Sequence, residues 1–300
     1  MRRFLRDICL FCLPLIVLAI VGEIVAESIP NSYTYKRTYM EQHSGDIRTL
    51  ILGSSNAYDG FNPSVLPDAF NLANSSQTLE DDYLMLERYI GSMDSLQTVI
   101  VGLSYSIWAD ASEVHRRTYY TIYMDLYPRW PINKYSFEVF NLELLTKKII
   151  KYAVSRDVTR CDSLGQRVGH TAVAVKEQRE FWNKDVVALA ANDAYASPLS
   201  TLDSPLSTNI EYLNAIIRLC DSHGVRPVIV TMPVKQEYKQ YLPAEQIAFH
   251  DSVMSELPSS AIYIDVSEWE IPADGWYNAT HLTKEASVEF TERLRDMIHL

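Results

Sequence analysis

Short, uniformly apolar runs alternate along this chain with segments of helical periodicity, and that alternation restricts the fold more than any other feature. Thr49–Leu52, Ala69–Leu72, Thr98–Leu103, Pro227–Met232 and Ala261–Val266 read as strands, most of them too apolar throughout to have a wet face. Leu79–Met93, Ile210–His223, Ala244–Leu257 and Thr283–Ile298 carry apolar residues at helical spacing. Gly224 is a helix stop after His223, and Thr283 with Glu285 resembles a helix start. Strands buried on both faces and joined through helices build a parallel sheet with helices on each side. The expected fold is therefore α/β, a three-layer α/β/α sandwich on a mostly parallel five-stranded sheet.

More than a hundred residues, Ser104–Ser207, fit no single crossover between the third and fourth strands. They carry Tyr119, Tyr120, Tyr123, Tyr127, Trp130 and Tyr135, then a helical segment near Val139–Val154. A helical insertion over about 105–207 is expected, its aromatic residues packing it onto the core rather than facing substrate or lipid. Tyr195–Ser207 (YASPLSTLDSPLS) is its most loop-like run.

At the N-terminus Arg2, Arg3 and Arg6 precede the apolar run Ile8–Gly22, continued past Glu23 by Ile24, Val25 and Ala26. This is the charge order of a secretory signal or a signal anchor. With Glu23 at the headgroup level, residues 8–26 reach the ~20 residues of a membrane span. No convincing small-x-small cleavage site follows, which favours an uncleaved single-pass anchor over a cleaved signal peptide. Residues 1–27 then form a cytoplasmic tip and transmembrane helix, and residues 28–300 lie outside, in the periplasm or beyond the cell.

With 47% hydrophobic residues in 300, the chain has material for a core and no signature of disorder. A net charge of -11 argues against a nucleic-acid partner, since the basic pairs Arg116–Arg117 and Lys147–Lys148 read as solvated surface. Cys9 and Cys12 lie in the apolar run, whereas Cys161 and Cys220 are free either to pair or to sit as buried thiols. No metal-ligand spacing occurs, and no cofactor is implied.

In an open parallel sheet, ligands bind beyond the carboxyl ends of the strands. Those positions hold Gly53, Ser54, Ser55 and Asn56 after the first strand, Ala73, Asn74, Ser75 and Ser76 after the second, and Ser104, Tyr105 and Ser106 after the third. After the last comes DGWYNATH, ending at His281. Alone, Ser55 suits a helix cap as well as a nucleophile, and a serine becomes a nucleophile only beside a base. His281 is the candidate base. Asp59, Asn62, Asp81 and Asp82 read as turn and helix-start residues, Asn71 as a backbone tie, and the six other histidines as structural.

The succession of GSS after the first strand, FNLANSSQT after the second and YNATHLT near the C-terminus resembles the SGNH (GDSL-like) hydrolases. The resemblance covers the sheet strands within residues 46–300 but not the insertion, and implies a flavodoxin-like sheet. It matches Ser55 to the family nucleophile and His281 to its general base. Ser76, in the same loop as Asn74, falls where the family has the glycine whose N–H enters the oxyanion hole. Two positions depart from the pattern. Asn278 stands where the family has the aspartate that orients the histidine, and GLSYSIW lacks the asparagine that adds an oxyanion donor. An asparagine accepts from the imidazole but brings no charge. Asp274 is a nearby carboxylate that could substitute for it, and Ser104 or Ser106 could replace the donor.

The resemblance implies a serine esterase or O-acyltransferase acting on acyl, most simply acetyl, esters of a cell-envelope glycan or on another small ester. Bacterial proteins that esterify alginate or teichoic acids are similar in layout, with one N-terminal membrane segment, and often work beside a membrane acyl-transfer partner. The two departures imply the alternative of a catalytically impaired binding or assembly module. Asn74-Ser75-Ser76 and Asn278-Ala279-Thr280 also match the glycosylation sequon, but a glycan on either would block the proposed cleft.

Overall fold

In the computed structural model, residues 1–109, 114–156, 159–171 and 205–299 are described. The chain divides into two compact units, Met1–Thr38 with Glu113–Thr159 and Tyr39–Ser112 with Arg160–Leu300. Along the chain run α1 (Arg2–Ser28), α2 (Ser32–His43), α3 (Ser55–Gly60), α4 (Leu79–Tyr89), α5 (Val114–Ile122), α6 (Leu142–Ser155), α7 (Pro205–Ser222), α8 (Gln236–Lys239), α9 (Ala244–Ser255) and α10 (Lys284–Ile298).

In the larger unit β1 (Thr49–Gly53), β2 (Ala69–Asn71), β3 (Thr98–Leu103), β4 (Arg226–Thr231) and β5 (Ile262–Asp265) form one sheet of order β2-β1-β3-β4-β5. All neighbours pair in parallel. The expected α/β architecture is found, with the strands within a residue or two of their sequence positions. Leu50, Ile51, Leu52, Val99, Ile100, Val101, Val228, Ile229 and Val230 are all fully buried, which is why their runs show no polar alternation. Burying each such side chain contributes roughly 1.5–3 kcal/mol before its entropy cost. On the sheet, α3 packs on β1, β3 and α10, while α4 packs on β1 and α7. The cap of α4 is a capping box between Thr78 and Asp81, as the helix-start reading expects, and Thr283 caps α10 by accepting from the Ala286 N–H.

The strand order reverses at β1, since the chain moves to one side for β2 and to the other for β3. A crevice therefore opens beyond the carboxyl ends of β1 and β3. There Gly53 and Gly102 pair across the two strands. Gly53 has φ of 125°, and a Cβ on it would lie 2.5 Å from the Gly102 carbonyl oxygen and 2.9 Å from the Ala57 Cβ. α3 can settle against the sheet only because neither glycine has a side chain.

Asp82 is not simply a helix-start residue. It is fully buried, and its Oδ1 accepts from the Gly53 N–H at 3.0 Å and from Gln77 Nε2 at 2.5 Å, holding the end of β1. Burial raises its carboxyl from 3.8 to about 7, against the lowering effect of those two bonds.

The smaller unit wraps Tyr33, Tyr119, Tyr120 and Tyr123 into an aromatic cluster, with Tyr33 making edge contacts to Tyr119 and Tyr120. These rings pack against α2 inside the smaller unit, where the sequence reading has them on the core, and Trp130 is 76% exposed. Lys148 is not solvated surface. It is partly buried, pairing with Glu138 at 2.7 Å and donating to the Ala26 carbonyl at 2.9 Å, and desolvation lowers its pKa. Glu23 is buried as well, accepting from the Glu138 and Val139 N–H groups at 3.0 Å each. The helix segment Arg6–Ser28 is long and apolar enough to cross a membrane, and its large apolar side chains up to Val21 are exposed. Cys161 and Cys220 are buried thiols and form no disulfide with each other. Helix α2 goes beyond the sequence expectation, because its apolar spacing is weak. Most of Tyr195–Ser207 lies outside the described residues.

Two outcomes follow from the packing at β1. Gly53→Ala should lower stability by about 1–3 kcal/mol, read from the urea midpoint of the detergent-solubilised chain. Asp82 binds its proton more tightly folded than unfolded, so its contribution is complete below pH 3.8 and lost as the pH rises to about 7. Asp82→Asn should remove that decline and stabilise the protein at pH 8 by on the order of a few kcal/mol. An unchanged dependence of stability on pH would show that Asp82 is not its source.

Candidate active site

The two adjacent serines after Gly53 have separate tasks. Ser54 occupies the cap position of α3 with extended backbone and no side-chain cap bond, and its carbonyl accepts from the Tyr58 N–H at 3.0 Å. Ser55 is the first residue of α3, and its hydroxyl lies 2.8 Å from His281 Nε2. It does not cap the helix.

His281 is presented by a tight return of the chain, in which the Tyr277 N–H donates to the His281 carbonyl at 2.9 Å and Trp276 pairs with Leu282. Asn278 shapes that return. Its Oδ1 accepts from the Thr280 and His281 backbone N–H groups at 2.9 Å each, and lies 2.8 Å from His281 Nδ1. Backbone N–H groups only donate, so the atom facing them must be the amide oxygen. That oxygen in turn requires Nδ1 to carry the imidazole proton. Nε2 is left with its lone pair toward Ser55. Asn56 secures the same loop to α3, donating to the Thr280 carbonyl at 2.7 Å.

Of the other residues singled out in the sequence, Asn74 is buried and its Oδ1 accepts from the Ser75 N–H at 3.1 Å. Ser76 has φ of 52°, the left-handed region that glycine enters without cost. Ser104 is buried at the end of β3, with its hydroxyl 3.1 Å from that of Ser106. Asp274 is exposed in the short helix Ala273–Gly275, and no contact joins it to His281 among the described residues. Asn71 ties backbone together, donating to the Ala57 and Phe61 carbonyls at 3.1 Å each.

A second group of side chains stands beside Ser55 and His281, and the sequence reading did not find it. Asp59, one turn beyond Ser55 on α3, is buried. Its Oδ2 lies 3.8 Å from His281 Nε2, and its Oδ1 lies 3.0 Å from Arg167 Nε and 3.2 Å from His170 Nδ1. Arg167 Nη2 also donates to the Ser75 hydroxyl, and the His170 ring stacks on Tyr277 at 3.6 Å. Asp59 is thus more than a turn residue, and His170 belongs with the site. Residues 160–170 are pinned where they deliver these groups. The Asn71 N–H donates to the Leu164 carbonyl at 2.9 Å, Gln166 Nε2 to Ser287 at 2.7 Å, and Lys284 Nζ to Asp162 at 2.9 Å. Gly165 fits against Asn71 because a Cβ there would lie 2.2 Å from the Asn71 carbonyl oxygen. By contrast His250 is a core residue, taking Trp108 Nε1 at 3.1 Å and facing Thr231 at 2.7 Å.

Burial pushes His281 down to about 4. Asp59 works against that shift, while Arg167 and His170 reinforce it. The imidazole is therefore neutral at pH 5–8 and able to accept a proton. Among the described residues no group of three or more His, Cys, Asp or Glu side chains is placed to hold a metal ion. A cavity of about 650 Å³ lined by Lys235, Glu237, Glu268, Trp269 and Trp276 includes neither Ser55 nor His281.

No protein-family model matches the chain, and no curated protein does. Among solved structures it is similar to a Streptococcus pneumonia protein provisionally described as a platelet activating factor. The TM-score is 0.42 and the identity 9%, over 97% of this chain and 99% of that one.

A histidine whose folded pKa is lowered supports the fold above its unfolded value of 6.5 and loses that support as the pH falls toward 4. The proton resonance on His281 Cε1, identified by its loss in His281→Ala, should accordingly titrate near pH 4. A midpoint near 6.5 would show that the ring is solvated and not held as described.

Proposed function

We propose that the chain is a serine esterase or O-acyltransferase of the SGNH type. The observation that carries this reading is the 2.8 Å contact of Ser55 Oγ with a His281 Nε2 whose proton is held on the opposite nitrogen. In this reading the Ser55 oxygen attacks an acyl carbonyl carbon while its proton passes to His281 Nε2. The N–H of Ser55, which as the first residue of α3 has no partner four residues back, and the N–H of Ser76 stabilise the oxyanion. The C–O bond of the ester breaks, and His281 returns the proton to the leaving alcohol. Water or a second hydroxyl then attacks the acyl-serine, giving its proton through His281 to Ser55. Hydrolysis and transfer differ only in that last acceptor.

The substrate class fitted to this chemistry is an acyl, most simply acetyl, ester of an envelope glycan. Residues 8–26 anchor the protein in a membrane with the catalytic unit outside, beside a membrane acyl-transfer partner when an activated acyl group must be supplied. The apolar exposed surface of α1 supports the anchor. A binding or assembly module is the second reading, and what favours it is the uncharged Asn278 beside the imidazole.

Exposure of the detergent-solubilised full chain to a fluorophosphonate probe, followed by intact mass and peptide mapping, tests the proposal. The expected result is one phosphonyl adduct on Ser55, with fluoride lost, absent from Ser55→Ala and slowed by at least ~10³-fold in His281→Ala. A wild-type chain that takes up no probe at Ser55 would favour the binding module.

A further inference from the structure

Resting on the acyl-transfer reading of Ser55 and His281, we propose that Asp59 serves as the carboxylate of this site. It stabilises positive charge on His281 from the Nε2 side, in place of a carboxylate on the Nδ1 side, and Arg167 and His170 hold it there.

Asn278 cannot fill that role. Its oxygen already takes two backbone N–H groups besides the imidazole, and it has no charge to offer an imidazolium. Asp59 has the charge and the position. It lies four residues after Ser55 on α3, so the two side chains share a helix face, and its side chain is only 1% exposed. At 3.8 Å its Oδ2 is too far from Nε2 to hydrogen-bond, so it leaves the 2.8 Å contact between Nε2 and Ser55 intact. It acts through its field alone, on the nitrogen that receives the serine proton.

The surroundings of Asp59 also set it apart from the chain's structural carboxylates. Asp81, Asp82 and Asp162 each accept hydrogen bonds from nearby N–H groups. Neither oxygen of Asp59 has an aligned hydrogen-bond donor among the described residues; Oδ1 pairs with Arg167, and Oδ2 faces the neutral His281 ring. A buried carboxylate kept in this way is costly unless a cation stands against it, and Arg167 is that cation. The groups that face His281 are Ser55 and Asp59 from α3, Arg167 and His170 from residues 160–170, and Asn278 and Thr280 from its own loop. Arg167 anchors Asp59 and cancels part of its field. Asp59 is thus a positioning residue that works through His281.

The test uses the full chain in detergent, with the rate of fluorophosphonate labelling at Ser55 and the titration of His281 Cε1–H as independent readouts. Asp59→Asn should slow labelling on the order of 10²-fold and lower the His281 midpoint. Adding Asn278→Asp to that variant should restore most of the lost rate. An Asp59→Asn chain with the wild-type rate and midpoint overturns the proposal. So does a gain of about tenfold or more from Asn278→Asp alone, since it would mean that no carboxylate was serving His281. That last comparison decides the matter even if Asp59→Asn does not fold. A wild-type chain unlabelled at Ser55 defeats the acyl-transfer reading instead, and the His281 midpoint in Asp59→Asn then judges Asp59 by itself.

Discussion

The close approach of α3 to the sheet at Gly53 and Gly102 governs the rest of the larger unit. Each glycine gives up side-chain contacts and conformational restraint, and together they let Ala57 and Phe61 reach the strand ends. Polar groups then secure the contact. Asn71 holds the Ala57 and Phe61 carbonyls, and Asp82 holds the Gly53 N–H. Because α3 starts directly at the carboxyl end of β1, its first residue faces the crevice where the strand order reverses. Ser55, Asn56 and Asp59 inherit their positions from that one packing contact.

Buried charge is handled differently at each place where it occurs, and the differences follow from the donors within reach. Asp81 takes the N–H of its own helix cap, an exchange that costs little. Asp82 has N–H donors but, among the described residues, no ion-pair partner, so burial favours its protonated form. Glu138 in the smaller unit has Lys148, and the pair stays together with little access to water. Asp59 has Arg167 and almost no aligned hydrogen bonding, which leaves its field directed at its neighbours.

These influences meet at His281. The three donors on Asn278 fix the loop, the loop fixes the tautomer, and the tautomer turns the Nε2 lone pair toward Ser55. A desolvated imidazole is a weaker base than one in water, and it is one that stays neutral over the whole range where most enzymes work.

The strands were legible because burial on both faces removes polar alternation, a purely local signature, and Thr98–Leu103 could be read to the residue. Ser55 and His281 were legible through their order relative to the strands, since the carboxyl edge of a parallel sheet gathers the ends of distant segments. Helix α2 was not, because burial of Tyr33 and Met40 supports it where apolar periodicity is weak. Arg167 and His170 were not, because they sit in a segment without periodicity and meet Asp59 more than a hundred residues away in sequence. Asp59 itself precedes a glycine, the commonest local mark of a turn. By itself, then, the sequence determined the layers, the strand positions and the pair at the strand ends, all of which follow from local burial patterns and chain order. Only the tertiary structure decided which charges surround that pair, because the sign and strength of an electrostatic contact depend on distance and burial that no local pattern records.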